Sequence, residues 1–250
     1  MMNALFASQP GSYIRLRQEG RTEEVVRRLM EAIDLGLYGE GQQLPSETEL
    51  AGQFGVATVT LRDALAYLRQ RGVIETRRGR TGGSFVCATA QVPQELLLAR
   101  LDALSLLELR ELADEHAAIA GAAARLAARR AGPEHHQQLA RYVQALDEAT
   151  CRRDLRRADA RFHIEIAVAS QSVRLTHAEI RLQAEVGELL WLPSDGAPAA
   201  AEVREEHRAI ADAIAAGDAT RAGSLAEVHV ERGIRRLGQL KLQLLANQQG

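Results

Sequence analysis

The stretch from Gly41 to Val86, GQQLPSETELAGQFGVATVTLRDALAYLRQRGVIETRRGRTGGSFV, constrains the fold more than any other part of the chain. Ser46-Glu47-Thr48-Glu49 is a capping box: Ser46 starts a helix and Glu49 reaches back to it. Leu50, Ala51 and Phe54 give that helix an apolar face, and Gly55 supplies a turn. The next helix is expected from about Thr58 to Arg71. Its Leu61, Ala64, Leu65 and Leu68 recur at i, i+3, i+4 and i+7, so they face a core, leaving Arg62 and Arg69 outside. Ala57 is a poor cap, so Thr58 is expected to cap in its place. Val73–Thr76 and Ser84–Val86 read as short strands around a tip, Arg77 to Gly83, rich in Arg and Gly. Helix, turn, helix and basic hairpin make a winged helix-turn-helix, a shape that places one helix in a DNA groove.

The formal net charge of −2 argues against a uniformly basic DNA binder. Locally the balance differs: residues 61–80 hold six arginines against Asp63 and Glu75, a net +4. Such a run alone would read as a solvated face, but it coincides with the helix and wing meant to approach DNA. Thr58 and Thr60 at the helix start offer hydroxyls to phosphates or base edges. Glycine lets the wing tip approach a backbone closely, and its arginines suit a narrow minor groove. Upstream, a helix is expected from Thr22, which can cap it, to Leu35, with Val25, Val26, Leu29 and Ile33 as its apolar stripe.

Beyond Thr89-Ala90-Gln91-Val92-Pro93, which reads as a linker, no strand pattern appears. Helices are expected at about 94–103, 105–130, 133–151, 154–170, 173–191, 199–216 and 218–246, and their short connections imply an antiparallel bundle of six to seven helices. The fold class is therefore mainly α. Asp159 and His163 stand four apart on one helix and point the same way. His207 and His229 lie on two further helices, each flanked by apolar positions. A carboxylate and three imidazoles from three helices can meet in a bundle core and bind a transition metal. A lone helical histidine is more often a core or surface residue, and the spacing leaves both readings open. His116, His135, His136 and His177 lack such context and read as surface or structural residues.

Residues 22–87 resemble the DNA-binding domain of GntR-type transcription regulators, through LPSETELAGQFGV, LRDAL and GVIETRRGRTGGSFV. The chain departs from that pattern. The family usually has Arg where Thr48 and Thr58 stand, and often Ser and Pro where Ala57 and Thr60 stand; Arg62 is kept. The family's usual operator sequence therefore does not transfer. Residues 94–246 resemble the FCD-type effector domain of the FadR-like branch, through DARFHIEIAVAS, EEHRAIADAIAAGDATRA and EVHVERG. This resemblance implies metal ligands at Asp159, His163, His207 and His229, with Zn²⁺ as the metal and Mn²⁺ or Ni²⁺ as alternatives. The block LLELRELADEHAAIA implies that Arg110 binds the carboxylate of an effector; otherwise Arg110 reads as a surface salt bridge. Asp114 stands where Glu is common, and Ser172 where Asn is common.

The expected organisation is a flexible arm over 1–20, a winged helix-turn-helix domain over 21–88, a linker over 89–93, and an FCD-like effector-, metal-binding and dimerisation domain over 94–250. The DNA contacts are expected from Ser46, Thr48, Thr58, Thr60, Arg62, Arg78, Arg80 and Gly82. No apolar run is long enough for a membrane, the start lacks a signal-peptide core, and Cys87 and Cys151 form no metal or disulfide pattern, so a cytoplasmic setting is expected. The reading is a homodimeric regulator, a repressor, on a pseudo-palindromic double-stranded DNA operator, controlled by a small carboxylate at the metal. The alternatives are a pure metal sensor and a metal-dependent hydrolase tethered to DNA. No H-E-x-x-H or similar motif supports the hydrolase, so no catalytic residue is expected.

Overall fold

The computed structural model describes residues 20–79, 82–87, 92–192 and 200–248. The arm up to residue 19, Arg80, residues 88–91 of the linker region and the break at 193–198 lie outside the described residues. The chain divides into two compact units: the described parts of Met1–Glu31 with Glu40–Ala88, and of Ala32–Gly39 with Thr89–Gly250.

The first unit draws on α1 (Arg21–Asp34), α2 (Glu47–Phe54), α3 (Thr58–Gln70), β1 (Ile74–Arg77) and β2 (Gly83–Val86). Both arms of the capping box are made: Ser46 Oγ accepts from Glu49 N, and Ser46 N donates to Glu49 Oε2 at 2.8 Å. Gly55 ends α2 with φ 64°, a left-handed conformation that L side chains avoid. The chain can therefore turn at once into α3. Leu61, Ala64, Leu65 and Leu68 are buried, as their spacing requires. The cap expected of Thr58 is not made: Ala57 is the N-cap, without a side-chain bond, and Thr58 is already helical. At α1 the expected Thr22 cap is likewise replaced. The helix starts one residue earlier, and Glu23 Oε2 accepts the N–H of Gly20 at 2.8 Å. β1 and β2 pair antiparallel, Ile74 opposite Val86 and Arg77 opposite Gly83.

The second unit holds seven helices among the described residues: α4 (Gln94–Ala103), α5 (Leu106–Arg130), α6 (Pro133–Glu148), α7 (Arg152–Ala169), α8 (Val173–Leu190), α9 (Ala200–Ala215) and α10 (Ala219–Gln248). Local chemistry starts them. Ser105 and Glu108 form a second capping box, Pro133 opens α6, and Ser172 caps α8. Two apolar clusters make up most of the core among the described residues. One is rich in small residues and centres on Ala124, Phe162, Ile166, Ile210 and Ala226 from α5, α7, α9 and α10. The other is leucine-rich, from α4, α5, α8 and α10, and includes Leu101, Leu109, Leu182 and Leu237. Alanine lets α5 and α10 approach closely; at Gly121 a Cβ would stand 2.2 Å from Glu227 Oε1. The fold is mainly α, a winged helix-turn-helix followed by a helical domain.

Candidate metal centre

Buried polar residues from three of these helices converge. α7 presents Asp159 and His163 one turn apart, α9 presents His207 and α10 His229, all buried. His229 Nε2 lies 3.2 Å from both His163 Nε2 and His207 Nε2. Asp159 Oδ1 lies 3.3 Å from His207 Nε2 and 3.8 Å from His163 Nε2. The spacing i, i+4 on α7 and the apolar flanks of His207 and His229 have brought one donor atom from each residue within 4.8 Å of the others.

Burial pushes the imidazoles down, His163 to about 3 and His207 and His229 to about 4. They are neutral at pH 7 and free to act as ligands. Burial alone would raise the Asp159 carboxyl, but its hydrogen bond with His207 and the neighbouring histidines hold it below the usual carboxylate range. Three neutral imidazoles and one carboxylate are a donor set for a divalent transition metal.

Outer partners aim these donors. Neutral His229 donates from Nδ1 to Glu206 Oε2 at 2.5 Å, leaving Nε2 for a metal. Trp191 Nε1 donates to Asp159 Oδ2 at 3.3 Å. The His207 ring stacks on Phe162, centroids 3.9 Å apart and planes 11° from parallel. The sequence reading missed Glu206, although it sits beside His207 in a Glu-Glu-His run, and left Trp191 without a role.

A cavity of about 30 Å³ adjoins the donors, lined by Asp159, His163 and His229 together with His116, Trp191 and Arg236. His116, expected at the surface or in a structural role, is buried and reaches this wall. Its Nε2 lies 3.2 Å from Glu179 Oε1, and Glu179 also accepts from Gln183 Nε2 at 2.9 Å. His116, His163 and Glu179 form a second compact set of potential ligands. Arg110 does not reach the cavity. It is exposed in a separate groove between α5 and α10, with Asp114, Glu231 and Arg235.

The residues expected to touch DNA lie in the first unit. Ser46 and Thr48 are exposed at the start of α2, and Thr58 and Thr60 are half-buried at the start of α3. Val59 between them is 64% exposed. Arg62 is exposed and gives Nε to Glu47 Oε2 at 2.7 Å. Arg78 is exposed in the wing. Gly82 is half-buried; a Cβ there would stand 2.6 Å from the Arg77 carbonyl. Arg80 is outside the described residues.

Comparison with known proteins adds a lineage to this geometry. Residues 21–86 match the profile of the bacterial regulatory proteins of the gntR family, and residues 98–232 match the FCD domain. The chain is 42% identical to the HTH-type transcriptional regulator RmpR of Mycobacterium gastri, over 93% of this chain and 85% of that one. It is 32% identical to the L-lactate dehydrogenase operon regulatory protein of Escherichia coli K12, over 84% of this chain and 83% of that one. Among solved structures, E. coli McbR/YncC aligns with a TM-score of 0.51 at 16% identity, over 88% of this chain and 98% of that one, a likeness of fold alone.

Proposed function

The chain belongs to the GntR family of bacterial regulatory proteins and carries an FCD domain, and from that premise we propose that it is a repressor released by a small carboxylic acid held at a divalent metal. That it is a DNA-binding transcription regulator rather than an enzyme follows from the family and its relatives. The hydrolase alternative is therefore set aside.

The observation that carries the metal reading is the convergence of Asp159, His163, His207 and His229, ionised and neutral as ligands must be. When bound, Zn²⁺, Mn²⁺ or Ni²⁺ would supply positive charge and open coordination positions for an anion. Glu206, Trp191 and Phe162 keep the donors oriented, and the surrounding helices exclude bulk water.

In the DNA-binding half, α3 enters the major groove with Thr58, Thr60 and Arg62, while Ser46, Thr48, Arg78, Arg80 and Gly82 approach the backbone or minor groove. Two copies form a homodimer and read a pseudo-palindromic operator in the cytoplasm. Among the described residues no helix is long and apolar enough to cross a membrane. The acid acts by binding better to an arrangement of the dimer that fits the operator poorly.

A pure metal sensor is the second reading, favoured by the small size of the cavity, about 30 Å³. Metal analysis of tag-free protein, paired with operator binding at fixed free metal and varied acid, separates the two. About one metal per chain, with DNA released by acid only in the holo form, supports the proposal. Operator affinity that follows free metal and ignores every acid supports the sensor. Protein that takes up no metal overturns both.

A further inference from the structure

The first turn of α3 points an apolar side chain outward. Val59 is 64% exposed, whereas Leu61, Ala64, Leu65 and Leu68 on the inner face of the same helix are buried. Thr58 and Thr60 on either side of it are half-buried. The outward stripe of α3 runs Val59, Arg62, Asp63, Ala66, Tyr67 and Gln70, all exposed. Its longer members are engaged within the first unit: Arg62 Nε reaches Glu47 Oε2 at 2.7 Å, and the Arg71 guanidinium lies 5.1 Å from the centre of the Tyr67 ring. Valine in such a place does little for the helix. It is a poorer helix former than alanine, because its branched Cβ loses rotamer freedom against the preceding turn. Single exposed apolar residues are ordinary on a protein surface, so exposure by itself decides nothing. The position decides more. Val59 is the second residue of the second helix of a helix-turn-helix. When such a helix enters a major groove, its first turn is the part that meets base edges.

Valine has no donor or acceptor, so it cannot read the hydrogen-bonding pattern of a base pair. The apolar group that base edges present in the major groove is the 5-methyl of thymine. A side chain as short as valine reaches that methyl only where the helix comes close to the bases. Small neighbours allow this. Ala57, the N-cap, is exposed beside Val59, and Ala66 is exposed one heptad further along the same stripe. Long side chains at those two positions would hold the helix away.

We infer that Val59 reads a thymine, its methyl groups packing against the 5-methyl of one thymine per protomer. This rests on α3 lying in the major groove, and it adds an apolar contact to the polar ones of Thr58, Thr60 and Arg62. Val59 is then a specificity residue whose signal is a methyl group rather than a hydrogen bond. Cytosine at that step is disfavoured partly for want of the methyl, and 5-methylcytosine restores that part.

The test uses the full-length protein and duplexes that it selects from a random pool. Each thymine of the selected operator is replaced singly by deoxyuridine, which removes the methyl and leaves the hydrogen-bonding groups in place. Wild type and Val59→Ala are titrated with every duplex at one salt concentration, since salt alone moves these affinities. At one thymine per half-site, deoxyuridine should weaken wild type about fourfold, the size of one methyl group's transfer from water. In Val59→Ala the same replacement should cost less than about twofold, since alanine stops short of the methyl. On non-operator DNA the two proteins should bind alike. Alanine favours the helix, so a lost contact is not a lost fold, and equal thermal midpoints check this. In the converse arm, cytosine is placed at the sensitive step. Its 5-methyl derivative should then regain about twofold or more with wild type and nothing with Val59→Ala.

A set of thymines whose methyls count equally in the two proteins would overturn the inference. So would a variant that loses the same factor on operator and non-operator duplexes, because such a loss carries no base information. A pool that yields no preferred duplex would overturn it together with the operator reading. Methylation interference separates the remaining outcomes, since guanine N7 lies in the major groove and adenine N3 in the minor. Wild-type binding that no guanine N7 methylation blocks would mean that α3 does not occupy the major groove, and the inference falls with that reading. Interference at guanine N7, combined with thymines indifferent to Val59, sinks the inference alone.

Discussion

The helix-turn-helix surface of the first unit and the histidine-lined cavity of the second use similar residue types in opposite surroundings. Arg62 and Glu47 approach to 2.7 Å with side chains 65% and 40% exposed, so water screens the pair and it contributes about 0–1 kcal/mol. His229 and Glu206 approach to 2.5 Å with side chains 9% and 19% exposed, where each polar group must be matched. Exposed polar groups can exchange a partner for water or for an incoming charge. Buried ones are fixed in advance by their neighbours. Substitutions in the cavity should therefore be severe and sharply defined, and those on the DNA face graded and sensitive to salt.

The largest effect is expected from His163→Ala. It removes one of the four donors, 3.2 Å from His229 Nε2, and the protein should no longer retain metal through dialysis or respond to acid. Operator binding in the absence of ligand should persist. A His163→Ala protein that still held one metal per chain would erase the contrast, since the cavity would then tolerate loss of a member as the surface does.

Acid should separate the two regions next. His163, His207 and His229 protonate near pH 6.5 in an unfolded chain but only at about 3 to 4 in the fold. Between pH 6.5 and about 4 the unfolded state therefore binds up to three more protons, and stability falls as pH falls through that window. Above pH 6.5 these histidines contribute a constant amount. Denaturant titrations of metal-stripped protein at pH 7.5 and pH 5 should show a lower midpoint at pH 5, and His207→Gln should reduce the difference. Equal midpoints would mean that these imidazoles are not held neutral by burial.

Helix number and order were legible because capping boxes, prolines and apolar periodicity are local. Ser46, Ser105 and Pro133 mark helix starts that the structure keeps. Thr22 and Thr58 did not become caps, because a backbone-reaching Glu23 and an extended Ala57 took the positions instead. In the cavity, Asp159 and His163 stood out by spacing, yet the same periodicity held more than was drawn from it. Leu109, Leu112, His116, Ala120 and Ala123 share one buried face of α5, and Glu179 lies among Leu182, Val186 and Leu189 on α8. Arg236 is one heptad beyond His229 on α10. A polar residue on an apolar stripe was the available signal. Which stripes face one another was not, because that depends on how helices distant in sequence pack. Arg110 shows the converse: its motif is present, but its side chain lies in another groove.

Glu206→Gln keeps shape and removes charge, so it tests whether the cavity depends on its outer partners. It should weaken metal affinity about 10- to 100-fold without loss of fold, read by competition with a chelator of known affinity. An unchanged affinity would mean that His229 is oriented by packing alone.

The smallest effects lie at the ion pair between α3 and α2, and they probe whether that surface pair competes with DNA. Arg62→Ala should cost about 1–3 kcal/mol of operator affinity if the side chain reads a base, with the salt slope kept. If it meets a phosphate, the slope should fall by about 0.9. Glu47→Gln then decides what the ion pair does. In free protein the Glu47 carboxylate holds Arg62 Nε at 2.7 Å, and DNA must displace or share that contact. Removing the charge should raise affinity for operator and non-operator DNA alike, by no more than about fivefold given the value of an exposed pair. A Glu47→Gln protein that binds operator more weakly would show instead that Glu47 positions Arg62 for the groove. The surface would then share the preorganisation that otherwise sets the cavity apart.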